Sequence, residues 1–203
     1  MSDDVKITRR TSLYRGHFRL DRYRFRHRLY GGGSSQSQSR EIYDRGPAVA
    51  LLPYDPDRDR VVLIEQFRLP AHLAGMAGWQ IETVAGLVDR AGESEASVAR
   101  REAKEEAGIE IAGVPVPMHR VLTSPGGSTE IVAIYCARID SGKAGGVHGL
   151  AGEGEDIKVI VLPFREAMRM VRSGAIANAT TVIALYWLDA NRDRLKRRWK
   201  KKR

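Results

Sequence analysis

The stretch Gly86-Leu-Val-Asp-Arg-Ala-Gly-Glu93 leads into Arg101-Glu102-Ala-Lys-Glu105-Glu106-Ala-Gly108-Ile109, and this succession constrains the chain more than any other. At about 100° per residue, Glu102, Glu105 and Glu106 fall within roughly a 100° arc of one helix face, with Glu102 and Glu106 one turn apart. Like charges at this spacing cost a few tenths of a kcal/mol per pair on a bare helix, and more in a cleft, so carboxylates turned inward need a compensating cation. Carboxylates with open coordination positions suit Mg²⁺ or Mn²⁺, and Mg²⁺ is usually held by one or two of them together with waters and substrate phosphates. Ser94 is a suitable N-cap and Gly108 a suitable left-handed stop, which predicts a helix over about 94–107. Arg101 can fix that helix by pairing with Glu93. The run by itself also reads as an ordinary solvated helix face. What tells against that reading is the combination of Gly86, Glu93, the Arg101-Glu102 pair and the Gly108 stop.

A chain of 203 residues fits one domain with a small appended piece and is long enough to bury a core. The single cysteine, Cys136, lies in the apolar run Ile131-Val-Ala-Ile-Tyr-Cys-Ala and reads as a buried structural thiol, so no disulfide can form within one chain. The N-terminus lacks an apolar signal segment, and the apolar stretch near Val182 to Leu188 is too short to span a bilayer; a cytoplasmic protein with no membrane contact is expected. The net charge of +9 is unevenly placed: residues 191–203 carry nine basic residues against one acidic, and residues 1–30 nine against three. The basic tail reads as a helix end fraying into a solvated segment, and no specific nucleic-acid partner is expected, because such binders more often show a basic folded surface interleaved with aromatics.

Residues 12–29 alternate apolar and basic side chains from Phe18 onward, and Gly31 to Ser39 supplies a flexible connection before Arg40-Glu-Ile-Tyr-Asp-Arg45. A sheet this small must bury its apolar face on the main domain or on a second subunit, so a homodimer is expected. Strands are predicted at Ala48 to Pro53, Val61 to Arg68, Gln80 to Val84, Val116 to Thr123, Ile131 to Ile139 and Ile157 to Leu162. Helices are predicted at about 94–107, 164–173 and 179–195, with Pro163 and Asn178 as start signals and Gly174 as a stop. The expected fold is α+β, with a mixed sheet between helices and a small N-terminal antiparallel sheet. The expected divisions are 1–46, 47–195 and the basic tail 196–203.

Between the last strands lies Ser141-Gly-Lys-Ala-Gly-Gly-Val-His-Gly-Leu-Ala-Gly-Glu153-Gly-Glu155-Asp156. A glycine-rich loop this long is more often functional or disordered than idle. Its acids could take a proton from an attacking water or add a metal ligand, and they also read as a solvated turn that starts the next strand. His148 alone is too weak a signal to assign.

Taken together, these residues resemble the Nudix box, G-x5-E-x7-R-E-U-x-E-E-x-G-U with U aliphatic. The chain departs from it once, since Glu93 comes seven residues after Gly86 rather than six. The wider pattern is similar to the ADP-ribose pyrophosphatase group of Nudix hydrolases, from about residue 12 to 199. It includes Leu13-Tyr-Arg-Gly, Arg40 to Gly46, Val62 to Arg68, Ser124-Pro-Gly-Gly-Ser-Thr-Glu130 with Pro125 sixteen residues past the box, His148-Gly-Leu-Ala and Asn178 to Leu188. The resemblance implies a Nudix α/β/α sandwich and Mg²⁺-dependent hydrolysis of the pyrophosphate bond of ADP-ribose to AMP and ribose 5-phosphate, with Mn²⁺ as the alternative metal. It implies that the Ala85 carbonyl and the carboxylates of Glu102 and Glu106 hold the metal, with Glu155 an additional ligand and Glu105 a ligand or supporting acid. Glu153 falls at the general-base position. Arg40, Glu41, Arg45, Arg68, Leu87 and Glu130 would line the nucleotide site, with His17 and Phe18 contributed across a dimer. His17 stands where the group commonly has an aromatic residue. The alternatives are a nucleotide-sugar pyrophosphatase acting, for example, on GDP-mannose, and a non-catalytic module that senses ADP-ribose.

Overall fold

Alternating side chains draw the first three strands into an antiparallel sheet, in a computed structural model that describes residues 4–150, 152 and 154–199. These are β1 (Val5–Arg15), β2 (Arg19–His27) and β3 (Gln38–Asp44), in the order β1-β2-β3. Strand β1 begins before the predicted start at Ser12, because Val5-Lys-Ile already alternates; bulges between Ile7 and Arg9 and between Ser12 and Tyr14 let it follow β2. The segment Leu122–Ile131 belongs to the same compact unit as the chain up to Pro47. It is tied to the end of β3, where the Tyr43 N–H donates to the Gly127 carbonyl at 2.8 Å and the Thr129 N–H to the Tyr43 carbonyl at 3.1 Å. Among the described residues this unit buries no apolar side chain; its one buried charge is Asp21, 2% exposed and ion-paired with Arg10 and Arg19.

The second unit, Ala48–Val121 with the chain from Val132 onward, is built on a mixed sheet. Its elements are β4 (Ala48–Asp55), β5 (Arg60–Phe67), α1 (Leu69–Leu73), β6 (Trp79–Glu82), β7 (Val84–Leu87), α2 (Glu95–Ala107), β8 (Ala112–Leu122), β9 (Ile131–Arg138), β10 (Val147–His148), β11 (Ile157–Pro163), α3 (Phe164–Ser173) and α4 (Ala179–Trp199). The sheet order is β10-β11-β5-β4-β9-β8, with β6 on β5 and β7 on β4. Strand β4 runs parallel to β9 and is buried at every position, which fits its unbroken apolar run. Its side chains alternate between two cores. Val49 and Leu51 meet Val98, Ala99 and Ala103 of α2; Ala50, Leu52 and Tyr54 meet Phe164 of α3 and Leu185 and Leu188 of α4. The result is the expected α/β/α sandwich.

The run predicted as one strand at Gln80 to Val84 is divided at Thr83 into β6 and β7. Strand β4 pairs with β7 through Leu51 and with β5 only from Tyr54, so Pro53, which has no N–H to donate, sits where the partner changes. The backbone between the two pieces is held by α4: the Thr83 N–H donates to Thr181 Oγ1 at 2.9 Å, and Thr181 is capped by the Asn178 side chain at 3.0 Å. Two further helical segments depart from the sequence expectation. Helix α1 is too short to show periodicity in sequence. Helix α4 runs four residues past its expected end at 195, because Trp199 packs near Tyr54, with ring centroids 6.5 Å apart, and Lys196 pairs with Asp59 at 3.1 Å. No helix among the described residues is long and apolar enough to cross a membrane.

The turn after β4 hangs on Asp55, which is 1% exposed. Its carboxylate accepts from the Asp57 and Arg58 N–H groups at 3.0 Å each, and from the Ser141 hydroxyl at 2.6 Å and N–H at 3.0 Å. Burial alone would raise its pKa, but these bonds from Ser141 and Arg58 outweigh burial and hold it at about 2. A carboxyl whose folded pKa lies below its unfolded value stabilises the fold above the unfolded value and loses that contribution as pH falls through the folded one. The window is therefore about pH 4 down to 2, and the contribution at neutral pH is about 2 kcal/mol. Denaturant unfolding should show Asp55→Asn less stable than the parent chain at pH 7, and that gap should shrink by about half at pH 3. A gap that does not change with pH would contradict this assignment.

Candidate active site

Helix α2 begins and ends as the sequence dictates: Ser94 Oγ accepts from the Ser97 N–H at 3.2 Å, and Gly108 adopts a left-handed φ of 61°. Between these ends Val98, Ala99, Ala103 and Ala107 face the core, which leaves the carboxylates around Arg101 toward β7 and the segment after it. Arg101 is the centre of the cluster. Its guanidinium donates to Glu93 at 3.2 and 3.3 Å, to Glu102 at 2.6 Å and to Glu105 at 3.2 Å, and reaches the Leu87 carbonyl at 3.5 Å. Burial would lower the Arg101 pKa, but Glu93, Glu102 and Glu105 hold it above its ordinary value. Gly86 lies directly under Glu102, and a methyl group placed on it would overlap the carboxylate. This close approach gives the loop glycine a physical reason.

Glu106 is 3% exposed and accepts from the Ala85 N–H at 2.9 Å. Burial, followed by repulsion from Glu102 and Glu155, lifts its pKa to about 8 despite the Ala85 bond. Glu102 is pushed up to about 7, chiefly by burial, with Glu105 and Glu155 adding repulsion and Arg101 opposing them. Glu102, Glu106 and Glu155 thus act on one another electrostatically, and the site favours added positive charge. The donor set of carboxylates beside a backbone turn fits a hard divalent cation. Among the described residues no group of three or more His, Cys, Asp or Glu side chains forms a metal cage; Glu102 is turned to Arg101 and Glu106 to Ala85.

The stem of the loop after β10 is seated on the end of α2. The His148 ring lies over Gly108, its Nε2 is 2.8 Å from the Gly145 carbonyl, and the Gly149 N–H donates to the Glu105 carbonyl at 3.3 Å. Further along, Glu155 accepts from the Leu150 N–H at 3.0 Å. Glu153, expected as the base, lies outside the described residues.

The expected nucleotide-binding residues fall in both units. In the first, Arg45 pairs with Glu130 at 3.3 Å, Glu130 also accepts from the Thr123 hydroxyl at 2.8 Å, and Arg45 shares an open cleft of about 390 Å³ with His17 and Phe18. Arg40 and Glu41 are successive in β3 and point to opposite faces, Arg40 bonding Gln38 at 3.2 Å and Glu41 pairing with Arg22 at 2.7 Å. In the second unit Leu87 supplies its carbonyl to Arg101, while Arg68 is bound to Glu82 at 2.8 and 3.1 Å. Glu82, the partner of this candidate arginine, is not singled out by the sequence. It is 8% exposed and also accepts from the side chain of Asn178, the residue before α4, at 3.1 Å, so the carboxylate that holds Arg68 is itself held from a second direction. The available signal was a carboxylate inside the apolar strand Gln80-Ile-Glu-Thr-Val.

An α/β/α sandwich whose helix presents an arginine-organised carboxylate cluster beside a glycine turn defines a protein built to hold a divalent cation and an anionic ligand. A family model described as NUDIX domain matches residues 44–180. An Escherichia coli protein named ADP-ribose pyrophosphatase is 49% identical over 197 residues, 97% of this chain and 93% of that one. A Yersinia enterocolitica protein named GDP-mannose pyrophosphatase is 35% identical over 188 residues, 92% and 96% of the two chains. A solved structure titled as an ADP compounds hydrolase has the same fold, with a TM-score of 0.70 at 20% identity over 98% of both chains. The chain belongs to the Nudix family.

The close packing of Gly86 on Glu102 gives a direct test. Gly86→Ala should displace the Glu102 side chain and lower kcat by about 100-fold or more, a loss of roughly 3 kcal/mol in transition-state stabilisation. Gly31→Ala, with open space at that position, should leave turnover unchanged. Steady-state kinetics of both variants, with melting curves to confirm folding, would refute the contact's role if Gly86→Ala retained parental activity.

Proposed function

We propose that this chain is a divalent-metal-dependent Nudix hydrolase that splits the pyrophosphate bond of ADP-ribose into AMP and ribose 5-phosphate. The observation that carries the chemistry is the carboxylate cluster of Glu93, Glu102, Glu105 and Glu106 organised around Arg101 beside Gly86. The observation that supports the substrate is the likeness, along nearly the whole chain, to proteins named for ADP-ribose.

Glu102 and Glu106, with the Ala85 carbonyl and with Glu155 as a further ligand, hold the metal, Mg²⁺ or else Mn²⁺. When bound, that ion neutralises charge on the pyrophosphate and lowers the pKa of water. Glu106, held by the Ala85 N–H, has little freedom to move, and Glu102 is aimed by Arg101. Glu105 supports the array from the same guanidinium. Glu153 takes the proton from the attacking water as the water oxygen bonds to phosphorus and the P–O bond to the leaving phosphate breaks. Arg68, braced by Glu82, and Arg45, braced by Glu130, carry positive charge for the phosphates, while Arg40, Glu41 and Leu87 line the nucleotide. The N-terminal sheet, residues 1–46, serves a homodimer in which His17 and Phe18 reach the partner's nucleotide. The tail at 196–203 has no part in turnover.

The second reading, a nucleotide-sugar pyrophosphatase acting on GDP-mannose, is favoured by the 35% identity to a protein of that name. A phosphate-release assay coupled to alkaline phosphatase, run with Mg²⁺ or Mn²⁺, decides between them. ADP-ribose should give a kcat/KM at least about tenfold above GDP-mannose, UDP-glucose and NADH, a difference of about 1.4 kcal/mol; the reverse order would replace the substrate while keeping the chemistry. Glu106→Gln and Glu102→Gln should each lower kcat by about three orders of magnitude with the fold intact, and a chelator should abolish turnover until Mg²⁺ is restored. Activity within about tenfold of the parent chain in both variants would overturn the metal assignment.

A further inference from the structure

The register of the N-terminal sheet adds cations of β1 to the basic face that the alternation of β2 already gives. Across β1 and β2, Lys6 stands opposite Arg26 and Arg9 opposite Arg24, while Thr11 is opposite Arg22. All of these side chains lie on one face: Arg22, Arg24 and Arg26 are two apart in β2, their direct partners point the same way, and the bulge between Ile7 and Arg9 keeps Lys6 and Arg9 on that side. Directly opposite cationic side chains have Cβ atoms about 5 Å apart and destabilise a sheet. Little on this face offsets that repulsion: Arg22 pairs with Glu41, but among the described residues Lys6, Arg9, Arg24 and Arg26 form no ion pair, and all four are exposed. The opposite face is different, carrying Val5, Ile7 and Phe25 and the ion pairs of Asp21 with Arg10 and Arg19.

We infer that this cationic face binds the phosphate backbone of single-stranded nucleic acid. Cations at every second position along β2 recur about every 7 Å, a repeat that a flexible strand can follow with its phosphates. At one end of the face Tyr14 is 51% exposed, opposite Leu20 and 5.4 Å from the Phe18 ring, and offers a surface on which a base can stack. A duplex reader would insert an element into a groove, whereas these cations lie on the broad face of a three-stranded sheet. A membrane would require exposed apolar groups interleaved with the cations, and here the apolar side chains of β1 and β2 are mainly on the other face. A second copy docking face to face would bring the same cations against each other. This binding needs no hydrolysis and is without base specificity. The alternation of residues 18–29 already makes one face of this sheet cationic, but most of the net charge lies in the tail and no nucleic-acid partner is expected from sequence; strand pairing adds Lys6 and Arg9 of β1 to that face.

The test is fluorescence anisotropy of a labelled fifteen-nucleotide thymidine strand with the full chain, titrated from 50 to 200 mM salt. Replacing Lys6, Arg9, Arg24 and Arg26 together by Gln should weaken binding at least about tenfold and reduce the slope of log K against log salt by about 2 to 3, since each lost phosphate contact removes about 0.7. The paired variants Lys6→Gln with Arg26→Gln, and Arg9→Gln with Arg24→Gln, should each give about half of that change. The melting temperature should not fall, because like-charge repulsion has been relieved. A chain ending at Trp199 should bind as the full chain does. Four outcomes would overturn the proposal: unchanged binding by the fourfold variant, loss of binding on removing residues 200–203, equal or tighter binding of duplex or of phosphatidylserine vesicles, or a change in sedimentation of the fourfold variant showing that the face lies between copies.

Discussion

Arg101 is the interaction on which the site depends. Two unit charges 4 Å apart interact by about 4 kcal/mol at an effective dielectric of 20, so a helix face with Glu102, Glu105 and Glu106, and Glu93 nearby, would disperse its own side chains if left alone. One guanidinium placed among Glu93, Glu102 and Glu105 turns that repulsion into a fixed geometry. Its reach to the Leu87 carbonyl joins α2 to β7, and β7 is paired to the fully buried β4. The orientation of the carboxylates is therefore inherited from the core. A lysine in the same place could meet only part of this demand, because its compact ammonium lacks the forked donors that serve several carboxylates at once.

The parts of the fold that could be read from sequence are those whose causes are local. Helix α2 has its cap, its stop and its apolar stripe within fifteen consecutive positions, Ser94 to Gly108. Helix α3 starts after Pro163 and ends at Gly174. The carboxylates of α2 were legible for the same reason: helical geometry alone puts them on one arc. What sequence did not reveal depends on residues far apart. The break at Thr83 relies on Thr181, ninety-eight residues later, and the run from Gln80 to Val84 offers no turn residue to announce it. The attachment of 122–131 to β3 rests on backbone bonds to Tyr43 that no side-chain pattern encodes. Glu82 belongs to the same class, since its importance comes from Arg68 and Asn178 meeting it from two other elements.

The divided strand also explains how a continuous sheet makes room for a site. Strands β4 and β5 pair directly only at Tyr54 and Asp55, and beyond Pro53 they diverge, each taking its own partner, β7 or β6. The chain leaving β7 is thereby delivered to α2, with Gly86 closing on Glu102. On the other side of the divergence β6 delivers Glu82 to Arg68. A single change of pairing partner thus positions both the turn under the Glu102 carboxylate and the arginine braced by Glu82. Backbone hydrogen bonds to each piece keep either arrangement from costing the sheet its satisfied donors.

The seating of His148 on Gly108 links two things usually treated apart, the length of a helix and the placement of a loop. Gly108 ends α2 because its backbone is left-handed, and the same missing side chain leaves the space that the imidazole occupies. A side chain there would be strained in the left-handed backbone and would also collide with the imidazole, disturbing the helix end and the loop stem in one step. Divergence at this corner is consequently coupled: His148 can be exchanged for another bulky ring while Gly108 stays, but Gly108 cannot change while the ring remains.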